Sequence, residues 1–344
     1  MIYTTFGRLS GLRVSEYVLG TGTFGTAWGR GAQPAEARAI FERFAEAGGT
    51  VLDTADNYQQ GEAEGYLADL LVSDRDEFVL CSKYGRGAGV DRHLTRSGNS
   101  RRTMVHSVEE SLRRLKTDRI DIYWAHYDDG VTPIEEIVGA FDDLVTAGKI
   151  LYGGLSNFAA WRVARGQTIA ELRGRSPLAG IQVEHSLVER TAERDLLPMA
   201  EGLGLGAMLY SPLGGGLLTA KHRVGEEGRP MVAYAEDSAA KTAVVDALVE
   251  VAGELGRGAG QVAIAWQREL ARRATTSLLT VIGPRTLEQL DDYLAALEVG
   301  LSERQFTRLS EASAFPLGVP YDSIGGPPDL GDRARLSDRA VPVA

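Results

Sequence analysis

Short apolar stretches rich in β-branched residues alternate along this chain with longer segments in which apolar residues recur at helical spacing. The short stretches are nearly continuous in apolar character, which is typical of parallel strands covered on both faces. Eight of them are predicted as strands, at residues 16–24, 50–55, 78–84, 120–127, 150–158, 179–186, 205–213 and 278–284. The amphipathic segments between them predict helices, the clearest at residues 35–47, 101–115 and 133–147.

Strands that alternate with helices in this way predict an α/β fold, a (β/α)8 TIM barrel that makes residues 1–344 a single domain. An open, doubly wound sheet is the competing architecture. Residues 1–15 precede the first barrel strand and predict a β-hairpin that closes the bottom of the barrel. Residues 314–344 are predicted to form a proline-rich C-terminal loop or tail.

Two local expectations concern the ends and faces of these elements. The helix over residues 133–147 is expected to begin with Thr132 as its N-cap and Pro133 at its first helical position, and to end at Gly148. Trp124 lies within the fourth predicted strand and is expected to pack behind the barrel wall.

The composition limits the partners and the location of the protein. Lys and Arg number 37 against 47 Asp and Glu, a net charge of −10, which disfavours general binding to nucleic acid or to an anionic membrane. Cys81 is the one cysteine, so an internal disulfide and a multi-cysteine metal site are excluded and a reducing compartment is favoured. With no signal-peptide pattern and no bilayer-spanning apolar run, we expect a cytoplasmic protein without a metal, whose oligomeric state stays open.

Four polar residues stand at the carboxyl ends of three consecutive predicted strands, where barrel enzymes carry their reactive groups. Asp53 ends the second strand, and Tyr58 follows five residues later. Lys83 ends the third strand and His126 ends the fourth. Because neighbouring parallel strands end at the same face, we expect these four side chains, the polar cluster, to meet at one mouth of the barrel.

The polar cluster suits the reduction of a carbonyl group, in which negative charge builds on the carbonyl oxygen. A tyrosine is a weak acid at neutral pH, and an adjacent ammonium lowers the pKa of its hydroxyl. Lys83 is expected to supply that charge to Tyr58, with Asp53 orienting it, while His126 donates a hydrogen bond to the carbonyl oxygen. Each residue also has a simpler structural role open to it, and their joint placement is what favours chemistry.

Eight motifs carry a resemblance to a known family. They are LGTGTFG (19–25), DTADNY (53–58), SLRRLKTDRIDIYWAH (111–126), TPIEEIVGAFDDLVTAGKI (132–150), GLSNF (154–158), QVEHS (182–186), YSPLGGGLL (210–218) and VIGPRTLEQL (281–290). Through them the chain resembles the aldo-keto reductase family over residues 1–310. The resemblance implies an NAD(P)H-dependent reductase of a small aldehyde or ketone, with NADPH/NADP as cofactor and NADH possible. It also implies that the polar cluster is a catalytic tetrad with Tyr58 as general acid.

The same resemblance implies a set of cofactor-binding residues. An arginine fork suits a phosphate, and an aromatic face suits a flat ring. The implied residues are Ser156, Asn157 and Gln182 at the nicotinamide carboxamide, Tyr210 on the nicotinamide ring, Ser211, Leu213 and Gly216 along the pyrophosphate, Arg285 with Gln289 at the adenosine 2′-phosphate, and Thr21 and Gly22 of the first motif. Gly22 stands where relatives often carry a bulkier side chain.

Other functions remain open. Relatives of this family act as potassium-channel β subunits that sense nicotinamide redox state, and steady-state turnover discriminates an enzyme from such a sensor. A barrel lyase that uses Lys83 as a Schiff base is a second alternative. The glycines of residues 20–25 match G-x-G-x-x-G after a strand, but helical pattern begins only near residue 35, so a dinucleotide-binding turn is not indicated.

Two further features lie near the predicted mouth. Trp28 follows the first strand and either walls the substrate pocket or packs against the barrel. The connection over residues 84–102 contains one acid and five arginines, which are Arg86, Arg92, Arg96, Arg101 and Arg102. This connection is either a solvated loop or a positive patch that steers an anionic substrate or the cofactor phosphates.

Overall fold

The computed structural model describes residues 1–87, 94–224 and 235–323. Eight parallel strands close into a barrel, because the last strand pairs with the first through Thr280 and Tyr17. Closure excludes the open sheet and confirms the predicted (β/α)8 barrel. In chain order these strands are β3 (Tyr17–Gly20), β4 (Val51–Asp53), β5 (Val79–Tyr84), β6 (Ile120–Ala125), β7 (Ile150–Ser156), β8 (Leu178–Glu184), β9 (Gly206–Tyr210) and β10 (Leu278–Ile282). Each is shorter than its predicted run, because an apolar run continues into buried residues that pair with no neighbouring strand, such as Phe78 before β5 and Phe158 after β7.

Helices cover the outside of this barrel. They are α1 (Pro34–Glu46), α2 (Glu62–Leu70), α3 (Arg101–Leu115), α4 (Ile134–Thr146), α5 (Ala160–Leu172), α6 (Leu196–Leu203), α7 (Ala239–Leu255), α8 (Ala259–Arg273), α9 (Leu287–Ala295) and α10 (Glu303–Ala312). None of the helices in the described part of the chain has the length and apolar character to cross a membrane. The tail prediction for 314–344 falls largely on residues 324–344, and the long connections before α3 and α7 include residues 88–93 and 225–234. All three stretches lie outside the described residues.

The hairpin predicted for residues 1–15 is present. Strands β1 (Tyr3–Thr5) and β2 (Arg13–Ser15) pair antiparallel. Between them Phe6 is fully buried in the barrel interior. A Cβ on Gly180 or Gly206 would lie 2.6 Å from the Phe6 ring. These glycines therefore leave the space that lets the Phe6 ring enter the barrel from the amino-terminal ends of β8 and β9.

The predicted start of α4 is wrong by one residue. Pro133 is the N-cap, and the chain turns helical only at Ile134. Thr132 does not cap the helix because its hydroxyl donates to a carboxylate oxygen of Asp129 at 2.6 Å. The other end is as expected, since Gly148 takes a left-handed φ of 69° directly after the C-cap.

The expectation that Trp124 packs behind the barrel is also wrong. Its side chain is fully buried in the barrel interior, edge-on to Phe6 with ring centroids 6.2 Å apart. Side chains on a strand alternate between faces, so Trp124 and His126 point to the same side. Trp124 therefore forms part of the floor beneath the residues at the barrel mouth.

Candidate active site

The structure brings the four residues of the polar cluster together at the carboxyl end of the barrel. Asp53 is the last residue of β4, and Lys83 is next to last in β5. His126 directly follows β6, and Tyr58 lies in a short helical turn between β4 and α2. Asp53 pairs with Cys81 and Lys83 pairs with Trp124, so each of the three strand-borne side chains lies two residues beyond the pairing partner of the one before it and points to the same face.

Lys83 is the centre of this cluster and is fully buried. Its ammonium donates to Asp53 Oδ2 at 2.5 Å, to the Thr54 carbonyl at 2.8 Å and to Tyr58 Oη at 3.1 Å. An ammonium has three N–H donors, so these acceptors use all of them. Because Tyr58 accepts from Lys83, the proton of its own hydroxyl is left to donate in another direction.

Asp53 is held on both of its carboxylate oxygens. Lys83 occupies Oδ2, and Gln182 Nε2 donates to Oδ1 at 3.0 Å from the opposite side of the barrel. Thr21 donates its hydroxyl to the Asp53 carbonyl at 3.1 Å and is itself fully buried. The structure thus places Thr21 beneath the site as a support for β4, while Gly22 lines the cavity.

The pKa of Tyr58 departs from the sequence-based expectation. Burial raises the pKa of its hydroxyl, and the charge of Lys83 lowers it by a smaller amount, so the net direction is upward. Lys83 acts in the expected sense but does not prevail over burial. Burial is the largest single effect on Lys83 and lowers its pKa, but the charge and hydrogen bond of Asp53 together with the contacts to Tyr58 exceed it, so the net pKa of Lys83 lies above its usual value. At neutral pH the pair is therefore a protonated phenol beside an ammonium.

His126 completes the cluster from β6. Its ring centroid is 5.8 Å from that of Tyr58, at nearly a right angle. Burial, followed by the charges of Lys83 and Arg86, lowers the pKa of His126 to about 2. The imidazole is therefore neutral at pH 7, where it can donate a hydrogen bond to an oxygen but does not supply a proton from an imidazolium.

The residues predicted for the nicotinamide end are linked by hydrogen bonds. Asn157 Nδ2 donates to the His126 carbonyl and to Ser156 Oγ, both at 3.0 Å, and the Tyr210 hydroxyl donates to Asn157 Oδ1 at 2.8 Å. Asn157 has a left-handed φ of 58°, which asparagine tolerates better than most residues. Backbone strain of this kind is characteristic of functional sites.

A cavity of about 500 Å³ joins the polar cluster to the more distant predicted residues. It extends from Tyr58 and His126 past Tyr210 to Arg285 and Gln289. Gln289 Oε1 accepts from the Arg285 backbone amide at 2.8 Å, which fixes the turn before α9. The remaining predicted residues on its wall are Gly22, Asp53, Ser156, Asn157, Gln182, Ser211, Leu213 and Gly216.

Sequence reasoning missed the first turn of α8 as part of this wall. Gly258, Ala259, Gly260 and Gln261 line the cavity opposite the loop after β9. The amino end of a helix carries partial positive charge and N–H groups without intrahelical partners, which suits phosphate. The signal available in the sequence was glycine at positions 258 and 260, where small residues leave room at a helix start.

Tyr127 and Trp28 also line the cavity. The loop carrying Trp28 is fastened to the turn of Tyr58, because Gln59 Oε1 accepts from the Trp28 amide at 2.9 Å and Glu62 Oε2 from the Thr26 amide at 2.7 Å. The chain continues from this loop without forming a helix until Pro34, where α1 begins. The glycine match at residues 20–25 therefore opens no helix, in agreement with its rejection as a dinucleotide-binding turn.

Asp56, two residues before Tyr58, is a buried carboxyl that gives a prediction on stability. Burial and the nearby Glu64 carboxylate raise the pKa of Asp56 to about 8. The folded protein thus holds a proton between about pH 4 and pH 8 that the unfolded chain has lost, so this group makes the protein less stable as pH rises. We expect Asp56→Asn to remove that loss, on the order of 1 kcal/mol per pH unit.

The measurement is urea unfolding at pH 5, 7 and 9. The gain in unfolding free energy of Asp56→Asn over the parent should grow with pH. Asp118→Asn, at a side chain 88% exposed, is the matched control and should show no such growth. A gain for Asp56→Asn that is the same at pH 5 and pH 9 would contradict the prediction.

Comparison with known proteins agrees with this geometry. The family model described as "Aldo/keto reductase family" matches residues 16–314. The chain is 31% identical to an aldo-keto reductase of Aspergillus calidoustus, covering 99% of this chain and 90% of the relative. It is 30% identical to norsolorinic acid reductase of Aspergillus flavus, over 96% of this chain and 86% of that relative. It is 35% identical to an uncharacterized oxidoreductase of Bacillus subtilis, over 92% of this chain and 98% of that relative.

These matches extend over the whole barrel, from β3 through α10. They include every strand that contributes to the cavity and all four residues of the polar cluster. Together with relatives named as reductases, they identify the protein as an oxidoreductase of the carbonyl-reducing type. The chain belongs to the aldo/keto reductase family.

Proposed function

We propose that this protein reduces an aldehyde or ketone to the alcohol at the expense of NADPH or NADH, with Tyr58 as the general acid. The observation that carries the proposal is the contact of Lys83 Nζ with Tyr58 Oη at 3.1 Å, made by an ammonium already bound to Asp53. This contact leaves the phenol proton pointing away from Lys83 and places a positive charge where a phenolate would form.

The chemistry needs a hydride at the carbonyl carbon, and a nicotinamide cofactor, when bound in this cavity, would supply it. Tyr58 holds the proton that the carbonyl oxygen takes up as its negative charge builds. Lys83 stabilises the resulting phenolate electrostatically. Neutral His126 donates a hydrogen bond to the same carbonyl oxygen and so orients the substrate.

The cavity wall offers groups that suit each part of a nicotinamide dinucleotide. Ser156, Asn157 and Gln182 offer the hydroxyl and amide groups that a carboxamide needs, with the Tyr210 ring beside them. The glycines after β9 and the positively polarised amino end of α8 line the part of the cavity that suits a pyrophosphate. Arg285 at the far end suits a 2′-phosphate, which is the feature that favours NADPH over NADH in this proposal.

The Schiff-base alternative is disfavoured by the state of Lys83. An amine must be neutral to attack a carbonyl. Against the effect of burial, Asp53 and Tyr58 together hold the pKa of Lys83 above its usual value, and all three N–H donors are engaged. Lys83 therefore acts as a fixed charge in this proposal.

The test is steady-state oxidation of NADPH and of NADH with a panel of carbonyl compounds that includes 4-nitrobenzaldehyde, sugars, quinones and small aliphatic aldehydes. We expect many turnovers per enzyme with at least one aldehyde or ketone. A single turnover followed by retention of the oxidised cofactor would instead support the redox-sensor alternative. No oxidation of cofactor with any carbonyl would contradict the proposal.

Gly22 gives a prediction on substrate size. A Cβ at this position would lie 3.7 Å from the Tyr58 ring, at ordinary contact distance, and Gly22 does not have a left-handed φ. The backbone therefore accepts a side chain, but γ-carbons would project into the space beside Tyr58. We expect Gly22→Val to lower kcat/KM for a bulky aromatic ketone about 10-fold or more relative to a small aliphatic aldehyde.

The ratio of the two kcat/KM values is the readout. Gly65→Val is the matched control, because Gly65 lies on α2, has open space around its Cβ position and is not on the cavity wall. The control should keep the parent ratio. An equal loss for large and small substrates in Gly22→Val would mean that this position does not set pocket size.

A further inference from the structure

The outer part of the cavity is walled by aromatic rings. Trp28 stands edge-on to Tyr58 with ring centroids 6.2 Å apart. On the other side of Tyr58, His126 is in contact with Tyr127 at 4.9 Å between centroids. Trp28 and Tyr127 are 49% and 39% exposed, so both keep open ring surface at the mouth. A flat aromatic substrate would cover that surface in contacts that aromatic pairs favour.

This wall is held in place before any substrate arrives. Gln59, directly after Tyr58, has a left-handed φ of 48° and is almost fully buried. Its amide donates to the carbonyls of Gly22 and Arg30 and accepts from Trp28, so one side chain fastens three points of the Trp28 loop. A preformed wall lowers the entropy cost of binding a rigid ligand.

A cation lies against the far ring of this wall. The Arg86 guanidinium carbon is 4.3 Å from the centroid of the Tyr127 ring, a cation–π contact. Its charge is close enough to His126 to contribute to the lowered pKa of that imidazole. Arg86 is itself exposed, and the Tyr127 ring that it covers lines the cavity.

The acids that follow His126 in the chain are committed to other partners. Asp128 pairs with Arg162 at 2.5 Å. Asp129 accepts from the Thr132 hydroxyl at 2.6 Å and from the Asn99 amide at 2.8 Å. These two carboxylates are therefore engaged by other groups. Within the described ranges 1–87, 94–224 and 235–323, no ion pair engages the Arg86 guanidinium that lies over the Tyr127 ring.

We infer that the preferred substrates are planar aromatic aldehydes or ketones that carry a carboxylate or another anionic group, with Arg86 binding the anion. In this arrangement the aryl ring lies between Trp28 and Tyr127, and the carbonyl group reaches Tyr58 and His126. The inference rests on the proposed carbonyl reduction and deepens it by naming the substrate class. It also gives a role to one arginine of the basic connection after β5.

The test uses two aldehydes of the same shape, 4-formylbenzoate and 4-formylbenzamide, reduced with NADPH by the full-length protein at low salt. Bidentate contact between a guanidinium and a carboxylate is a strong, charge-assisted interaction. We expect kcat/KM for the acid to exceed that for the amide about 10- to 100-fold, mainly through a lower KM. In Arg86→Met this ratio should fall to about 1, and Arg86→Lys should restore part of it, because a lysine keeps the charge but not the fork.

Arg96→Met is the matched control, since it removes the same charge from an exposed arginine of the same connection. It should keep the parent ratio. Parent protein that reduces both aldehydes equally well, or a ratio that falls alike in Arg86→Met and Arg96→Met, would overturn the inference and leave carbonyl reduction standing. If the parent reduces neither aldehyde nor any other carbonyl of the panel, the proposed function itself fails.

Discussion

Replacing Tyr58 by phenylalanine is expected to lower kcat for carbonyl reduction about 10²- to 10⁴-fold, the usual contribution of a general acid. The ring remains and keeps its contacts with Trp28 and His126, while the one donor aimed away from Lys83 is lost. Binding of the cofactor should be nearly unchanged, because the residues proposed to hold it lie on other strands. Steady-state rates together with a cofactor titration by fluorescence measure both effects.

Tyr66→Phe is the matched control for that experiment. Tyr66 is a partly buried tyrosine of α2 that does not line the cavity, so its hydroxyl should not affect turnover. Near-normal reduction by Tyr58→Phe would refute the assignment of the acid. Equal losses in kcat and in cofactor affinity would indicate that the hydroxyl acts in binding instead.

Replacing Lys83 by methionine is expected to damage both stability and activity. The ion pair with Asp53 is buried, with the two side chains 0% and 3% exposed. Removing one member of such a pair leaves a buried charge, which typically costs about 3–5 kcal/mol. Because the pKa of Lys83 is raised in the folded protein, the contribution is fully present at pH 7 and is lost only as pH rises through that raised value.

The double variant Asp53→Asn with Lys83→Met separates the two effects. It removes the unpaired charge, so unfolding free energy measured at pH 7 should recover most of what Lys83→Met loses. Activity should stay low, because no cation remains beside Tyr58 to stabilise a phenolate. Recovery of activity along with stability would mean that Lys83 serves only to hold the fold together.

The eight strands and the polar cluster could be predicted from the sequence for a single physical reason. Strands of a closed parallel barrel are buried on both faces, so each reads as an apolar run, and a polar residue at its carboxyl end is conspicuous. Asp53, Lys83 and His126 stood out in this way. The contacts among them could not be predicted, because the sequence does not say that Lys83 uses its three donors on Asp53, Thr54 and Tyr58.

The errors have the same origin in tertiary contacts. Thr132 does not cap α4 because its hydroxyl donates a hydrogen bond to the Asp129 carboxylate. Trp124 faces the barrel interior because side chains on a strand alternate between faces, which puts Trp124 on the same side as His126. The net pKa of Tyr58 is raised because burial is a property of the assembled barrel and exceeds the local effect of Lys83.

The order and types of residues alone thus determined the barrel, its family and the identity of the four polar residues at its mouth. Only the folded chain decided what surrounds them. Trp28, Tyr127 and Arg86 come from three separate connections, and the first turn of α8 approaches the cavity from more than a hundred residues beyond Arg86. Local patterns record burial and periodicity along one element, whereas the shape of a pocket and the charge within it depend on which elements meet.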